Sequence, residues 1–576
     1  MNKVLVQLDQ LVRNQGRKAW LVGGFVRDLL LGRPSQDVDV VVSGSGMELA
    51  RELAELTGST FVPLDSKNDV CRVVFKTGFR MVQLDITGLG EVSLLADLHR
   101  RDFTINAMAL PLGVYLACAP GVSKQGVAET NTNVVDCPVG ATVFAGTGLA
   151  PDMLVDPLGG LADLRSGIIR ACSPRSIAGD PLRALRAARF AGQFGWRIEA
   201  DTVRFIRGAS LDTVAWERVQ EELVHILMLP CAHEVIQMLD VELGILEQLF
   251  PEILPMRQTE QNGHHVDNVW VHCLKTLQCC EVLLASFSTD ETIVSGGLFA
   301  PVAGGRRCTE KNNGFYGEYP DGNQRDAGTG RPGSFSEGPA FYGMAGEPPF
   351  PTPGVSTLPP AAAGPLAVYL NSPITRARSR LPVLKLACLF HDVGKPATRA
   401  VAVDGRFTFY GHHTAGAPLA AAIARRLRLS RWEEDLLATL VRGHMDPLFL
   451  YKSRPVSGRA AYRFFRRLGE DVPGCLLLSM ADISSSRLAA GAAREAAAYR
   501  DFIAGMLERY FKDPAVSGRS RPLMSGREIC RLLNIQPSPL VGRLLEELAA
   551  ARAAGEVRTR REAVEWVKKR HLRETR

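Results

Sequence analysis

The chain has 576 residues, of which 46% are hydrophobic and 22% charged. That length implies about three or four domains rather than one core, and the composition excludes wholesale disorder and a fibrous repeat. The formal net charge of +7, from 68 basic and 61 acidic residues, permits a polyanionic partner without demanding one. The opening residues, MNKVLVQLDQLVRNQGRKAW, lack the apolar core of a signal peptide, and no apolar run reaches the roughly 20 residues of a membrane span, so no membrane is expected as a partner. The 12 cysteines contain no C-x-x-C pair, which argues for free thiols in a reducing, cytoplasmic setting.

Residues 20–22 (WLV) read as a short strand running into Gly23 and Gly24, and residues 25–31 as a helix stopped by Gly32. Residues 37–42 (DVDVVV) carry period-2 polarity and then an apolar run, a second strand. Residues 71–75 and 81–86 look like two more strands around the Thr77-Gly78 turn, and strands separated by helices imply a small α/β domain. Residues 113–150 lack helical periodicity and read as an insertion, and residues 286–365 are dense in Gly, Pro and Ser, as in a disordered loop. Apolar spacing is helical over residues 181–250 and again from 381 onward, so the body is mostly α.

The first chemical constellation lies in LVGGFVRDLLLGRPSQDVDVVV, residues 21–42. A strand, the Gly23-Gly24 turn and a helix start make a phosphate cradle, since glycine admits close backbone approach and the helix N-terminus offers free N–H groups. Asp37 and Asp39, two apart on a strand, project from one face. A carboxylate pair so placed can hold Mg²⁺ for in-line phosphoryl or nucleotidyl transfer. Asp85, on the later strand, is a candidate third carboxylate. Arg183, Arg186 and Arg189 step by three along one side of a helix: a solvated basic stripe, or a row of triphosphate and base contacts.

GGxVRD followed by DxD, and then RRDFTINAMA at 100–109, closely resembles the class II tRNA nucleotidyltransferases and bacterial poly(A) polymerases, which have a polymerase-β-like head. DPLGGLADL at 156–164 resembles that family's hinge between head and neck, DPLRALRAARF at 180–190 its nucleotide-reading helix, and ERVQEEL at 217–223 the helical motif that follows. The resemblance runs in order over most of residues 18–255. It implies Mg²⁺ at Asp37 and Asp39, and nucleotide binding by Gly23, Gly24, Arg27, Arg101, Arg186 and Arg189. By the same resemblance Asp180 and Arg183 read the incoming base. An Asp accepts from the exocyclic amine of cytosine or adenine, whereas uracil and guanine present the wrong polarity. Two departures stand out. Gly179 replaces the glutamate that in the family is thought to brace the arginine, and residues 86–97 are short where many CCA-adding members carry a longer mobile loop, which leaves CC addition open beside complete CCA addition, since some CCA enzymes are also compact there.

The second constellation is His391-Asp392 in LFHDVGK, after an apolar helix over 383–390. His264, His265, His272, His412, His413, His444 and Asp482 are further candidates, and seven of the eleven histidines fall between 264 and 444. The pattern resembles the HD superfamily of metal-dependent phosphohydrolases, which implies His272, His391, Asp392 and Asp482 as ligands of a divalent transition metal such as Ni²⁺ or Mn²⁺. His265 competes with His272 for its role. The basic C-terminal residues, Arg558 to Arg576, form either a solvated face or a phosphate-contacting tail.

The expected fold is α+β: a head over 1–155 with its insertion at 113–150, a helical neck over 156–255, an HD domain over 264–490 interrupted at 286–365, and a basic helical region over 491–576. The expected function is template-independent addition of C and/or A to tRNA 3′ ends from CTP and ATP, with HD phosphohydrolase activity beside it and no protein partner implied. The alternatives are a poly(A) polymerase, and an RNA-binding protein whose only activity is that of the HD domain.

Overall fold

Six strands, β1 (Ala19–Val22), β2 (Asp37–Val42), β3 (Thr60–Asp65), β4 (Val70–Thr77), β5 (Arg80–Gly88) and β6 (Ala109–Pro111), form one sheet in the order β3-β4-β5-β2-β1-β6. The β2–β5 pair is parallel and the other neighbours are antiparallel. The coordinates, a computed structural model, describe residues 2–35, 37–77, 80–118, 150–261, 267–285, 360–375, 378–489, 493–518 and 520–574. Most of both expected insertions, together with His264 and His265, lies outside them.

Strand β2 follows its sequence pattern: Asp37 is exposed and Asp39 half-buried, while Val38, Val40, Val41 and Val42 are buried. The crossover from β2 runs through the helix Gly46–Thr57. Asp69 anchors that helix by accepting from Gly46 N at 2.6 Å and Met47 N at 2.9 Å, on orphan donors of its first turn. Strand β3 escapes sequence reading because it lies at the sheet edge, carries Pro63 and buries none of its side chains.

The helix Leu112–Cys118 occupies the start of the segment expected as the first insertion, and buries Leu112, Tyr115 and Leu116. The helix Pro360–Asn371 begins inside the second, with Ala362, Leu366 and Leu370 buried. In the neck, Arg183–Phe194 buries an alanine-rich face, and Phe190 meets Phe103 edge-on at 5.9 Å between centroids.

The chain divides into two compact units, residues 1–226 with 234–249, and residues 227–233 with 250–576. The second is helical, built on Val269–Ala285, Leu381–Phe390, His412–Arg426, Arg431–Gly443 and Val472–Ala489. Leu381–Phe390 is buried on every side, as a sequence apolar all round but for one residue requires. Its one charge, Lys385, donates to Leu229 O at 2.5 Å and to Glu281 Oε1 at 2.7 Å. Burial works against the Glu281 carboxylate, but Lys385 and His233 outweigh it and hold the group below its ordinary range. Three further helices, Gly526–Leu533, Pro539–Ala553 and Arg560–Glu574, pack around Ile529, Leu544, Leu548 and Val567. Among the described residues no helix is long and apolar enough to cross a membrane.

Candidate functional site

In the first unit, the β2–β5 register sets Asp39 opposite Asp85, and Asp37 shares Asp39's face two residues away. Arg72, opposite Asp85 on β4, chelates it with Nε to Oδ1 at 2.7 Å and Nη2 to Oδ2 at 2.9 Å. The third carboxylate is thereby neutralised by its neighbour. Burial pushes the Asp39 carboxyl up to about 6, with Arg101 opposing the rise and Asp85 and Asp37 reinforcing it. A half-buried carboxylate crowded by two others is where a cation is stabilised most.

The turn before this pair can hold only glycine. Gly23 has φ of +68°, and a Cβ there would lie 2.8 Å from Asp39 Oδ2 and 3.3 Å from Arg101 Nη1. Arg101 is held against that turn by the buried Asp97, which accepts from its Nη2 at 2.9 Å. Gly24 follows in the first turn of the helix Gly23–Leu30. The structure thus brings together Gly23, Asp37, Asp39, Asp85 and Arg101.

Three arginines expected at the nucleotide are held by protein groups, with side chains 8% exposed at Arg27, 33% at Arg186 and 16% at Arg189. Arg27 is buried, donates to Asn106 Oδ1 at 2.8 Å and Asp28 Oδ1 at 2.9 Å, and stacks its guanidinium over Phe190 and Phe194. Arg186 donates to Asp102 Oδ2 at 2.9 Å and Glu222 Oε1 at 3.1 Å, and Arg189 to Glu222 Oε2 at 2.6 Å. Burial would raise Asp102, but Arg186 and Asn106 hold it below the usual carboxylate range. Arg183 is held by backbone as well: its Nη1 donates to the carbonyls of Arg100, Arg101 and Ser176, and its Nε faces Asp180 Oδ2 at 4.0 Å. Asp180 is chelated by Arg218, with Nη1 to Oδ1 at 3.2 Å and Nη2 to Oδ2 at 2.8 Å.

The second unit gathers His272, His391, Asp392, His412, His444 and Asp482, all buried. Three overlapping groups have ligand atoms within 4.8 Å of one another: His272, His391 and Asp392; His391, His444 and Asp482; and Asp392, His412 and His444. Among the described residues these form the donor clusters of the chain. Nδ1 of His391, His412 and His444 faces the carbonyl of Cys388 (3.0 Å), Phe409 (2.8 Å) and Val441 (2.7 Å) respectively. A carbonyl only accepts, so each Nδ1 carries the proton and each Nε2 offers its lone pair to the centre. Ser485 Oγ donates to Asp482 O and lies 3.2 Å from His272 Nδ1, which fixes the same tautomer there.

Four ring nitrogens then converge with the carboxylates. His391 Nε2 lies 3.3 Å from His272 Nε2, His412 Nε2 lies 3.2 Å from His444 Nε2, and Asp482 Oδ1 lies 3.0 Å from His272 Nε2. Such an arrangement calls for a cation. Asp392 spans both halves, with Oδ2 at 3.5 Å from His272 and Oδ1 at 3.2 Å from His412. Burial pushes His444 down to about 3, whereas at His391 the carboxylates of Asp392 and Asp482 overcome burial and raise it. Burial disfavours the Asp392 carboxylate too, but His391 and Lys395 outweigh that and hold it well below the ordinary range. Imidazole nitrogens mixed with carboxylate oxygens suit a divalent transition metal.

Backbone geometry makes this cluster. A Cβ on Gly394 would sit 2.2 Å from His412 O and 2.6 Å from Gly416 N, so glycine lets the turn after Asp392 press against the helix His412–Arg426. His412 and His444 were candidates without a role in the sequence, and the histidine density between 264 and 444 was their only signal. Arg72 had none beyond residue type, whereas Arg218 and Glu222 lie in the ERVQEEL segment at 217–223, which gave them a motif but no partner.

Comparison with known proteins bears on both units. Residues 19–119 match the Poly A polymerase head domain, 195–256 the probable RNA and SrmB-binding site of polymerase A, and 365–483 the HD domain. The chain is 29% identical to the A-adding tRNA nucleotidyltransferase of Deinococcus radiodurans, over 96% of this chain and 95% of that one. It is 28% identical to the CC-adding tRNA nucleotidyltransferase of Thermus thermophilus, over 95% of this chain and 92% of that one. Among solved structures, a CCA-adding enzyme with ATP matches with a TM-score of 0.55 at 18% identity, over 98% of this chain and 92% of that one. That likeness supports the fold.

Proposed function

We infer that this chain, which belongs to the family of tRNA nucleotidyltransferases and poly(A) polymerases with an HD domain behind the head, adds C or A to the 3′ end of tRNA without a template. The observation that carries this reading is the same-face pair Asp37 and Asp39 against the Gly23 turn and Arg101, with Asp39 pushed up to about 6 by burial. Asp37 and Asp39 would hold Mg²⁺, which supplies the charge for in-line displacement of pyrophosphate by the RNA 3′-hydroxyl. Asp85 supports the pair from the next strand while Arg72 keeps it in place. Gly23 and Gly24 admit the triphosphate and Arg101 faces its charge. Asp180 and Arg183 select the base.

Arg27, Arg186 and Arg189 serve this site one layer back. Arg27 ties the helix Gly23–Leu30 to Asn106, Arg186 ties the helix Arg183–Phe194 to Asp102, and Glu222 holds Arg186 and Arg189 from the helix Trp216–Leu227, so the metal end and the base-reading end keep a constant separation. The test is incubation of the protein with tRNA lacking its 3′ CCA and each labelled nucleotide in turn. CTP or ATP incorporation limited to tRNA is expected. Long A runs on any RNA would mark a poly(A) polymerase, and no incorporation would sink the reading.

A second activity is favoured by the converging imidazoles. His272, His391, Asp392 and Asp482, with His412 and His444 completing the cluster, would hold divalent transition metal ions such as Ni²⁺ or Mn²⁺. The metal supplies Lewis acidity for hydrolysis of a phosphoester. Lys395, whose Nζ lies 2.6 Å from Asp392 Oδ2, adds positive charge beside it. Hydrolysis of a 2′,3′-cyclic nucleotide by remetallated protein, and its loss on chelation, is the corresponding test.

A further inference from the structure

We propose that Tyr410 and Phe449 form an aromatic rim on the open side of the histidine cluster, and that Tyr410 makes this site selective for phosphoesters carrying a nucleobase. The inference rests on the phosphohydrolase reading above and names its substrate class. Four of the six clustered side chains, His272, His391, Asp392 and His444, are at most 2% exposed, whereas His412 is 9% and Asp482 12% exposed. A phosphate therefore reaches the cluster from the side of His412 and Asp482. Among the described residues three large aromatic side chains are exposed, Tyr410, Trp432 and Phe449, and two of them border His412 and its neighbour His413.

Tyr410 stands two residues before His412, so their Cα atoms are no more than about 7.6 Å apart. Its neighbour Phe409 is committed inward: the carbonyl accepts from His412 Nδ1 at 2.8 Å, and the ring centroid lies 5.5 Å from Lys395 Nζ. Tyr410 is left 87% exposed, a ring kept in water beside the opening of a buried site. Phe449, in the helix Asp446–Lys452, meets the His413 ring edge-on at 6.4 Å between centroids, and His413 in turn meets His412 at 5.6 Å. A nucleotide with its phosphate at the cluster presents its base at this rim, where an aromatic face in water gains by stacking. Stacking accepts every base, since each has a π-face, so the rim selects a nucleotide over a plain phosphoester rather than one base over another. With a 2′,3′-cyclic nucleotide, water adds across one P–O bond: phosphorus keeps the hydroxyl, and the freed ribose oxygen takes the proton.

Because Tyr410 is exposed, its removal leaves no cavity and tests recognition more than folding. The experiment uses full-length protein, chelated and reloaded with Ni²⁺ or Mn²⁺. It measures kcat and KM for 2′,3′-cyclic AMP and for glycerol 1,2-cyclic phosphate, which has the same ring phosphate and no base. Wild type should prefer the nucleotide. In Tyr410→Ala that preference should fall about fivefold or more, through KM for the nucleotide, with metal content as in the wild type. Phe449→Ala should lower it in the same direction. Tyr410→Phe keeps the ring and should keep the preference; a loss as large as in Tyr410→Ala would assign the effect to the hydroxyl and overturn the stacking role. The control is Trp432→Ala, roughly 18 Å along its helix from His444, which should leave the preference unchanged. No preference in the wild type, or the wild-type preference in Tyr410→Ala, would overturn this role and leave the hydrolytic reading standing. A reloaded wild type that hydrolyses neither ester would overturn the hydrolytic reading, and this role with it.

Discussion

Asp39→Asn separates the catalytic use of the head site from its contribution to stability, and the two should move in opposite directions. Burial has pushed the Asp39 carboxyl from its ordinary 3.8 to about 6. Because the folded value lies above the unfolded one, the folded state holds the proton more tightly between about pH 4 and pH 6, and stability is lost as pH rises through 6. At 1.36 kcal/mol for each tenfold change, the ionised group at pH 7.5 destabilises the metal-free protein by about 2–3 kcal/mol. Asparagine has the same shape and no charge. In Mg²⁺-free buffer at pH 7.5 the variant should therefore melt roughly 5–10 °C higher, at about 2–4 °C per kcal/mol for a unit of this size. Below about pH 4 the difference should vanish, since both folded and unfolded Asp39 are then protonated. Millimolar Mg²⁺ should raise the wild type and leave the variant unchanged, and nucleotide addition by the variant should fall at least about a hundredfold. The measurement is calorimetric melting across this pH range with and without Mg²⁺. A variant that melts at or below the wild type at pH 7.5, or a gap that persists under acid, would refute the reasoning.

Asp392→Ala should abolish phosphoester hydrolysis and leave nucleotide addition intact, and Asp37→Ala should do the reverse; paired assays on the two variants check the separation. His444→Ala removes a ligand from two of the three overlapping donor groups, so metal analysis after reconstitution should find a lower stoichiometry than in the wild type. Gly394→Ala drives a Cβ to 2.2 Å from His412 O, which should cost about 1–3 kcal/mol and weaken metal retention together, read by melting and by chelator titration. Gly179→Ala meets open space and should melt at or slightly above the wild type, by up to about 1 kcal/mol of stability.

The half-and-half character of β2 was legible because strand periodicity is carried by neighbours in the chain: Asp37 and Asp39 share a face in any strand. The glycine turn and the buried helix ending at His391 were legible for the same reason, as local patterns with few alternatives. The arginine row reads as one side of a helix, and the helix is there, but the acidic partners of Arg186 and Arg189 were not legible. Arg186 meets Asp102 across 84 positions and Arg189 meets Glu222 across 33. Nothing along the helix announces those partners.

The same limit divided the histidines. His391 and Asp392 are adjacent, so the doublet could be seen, whereas His272 lies 119 positions before His391 and 210 before Asp482. His412 and His444 were candidates without a place until the Gly394 turn pressed against one helix and Val441 O faced the ring of the other. Residue type and local period thus located the candidate residues and most of the elements that carry them. Packing between distant segments decided which charged side chains face a substrate and which face one another, because a carboxylate or lone pair is defined by the partner brought within 3 Å of it, and that partner is chosen by the fold.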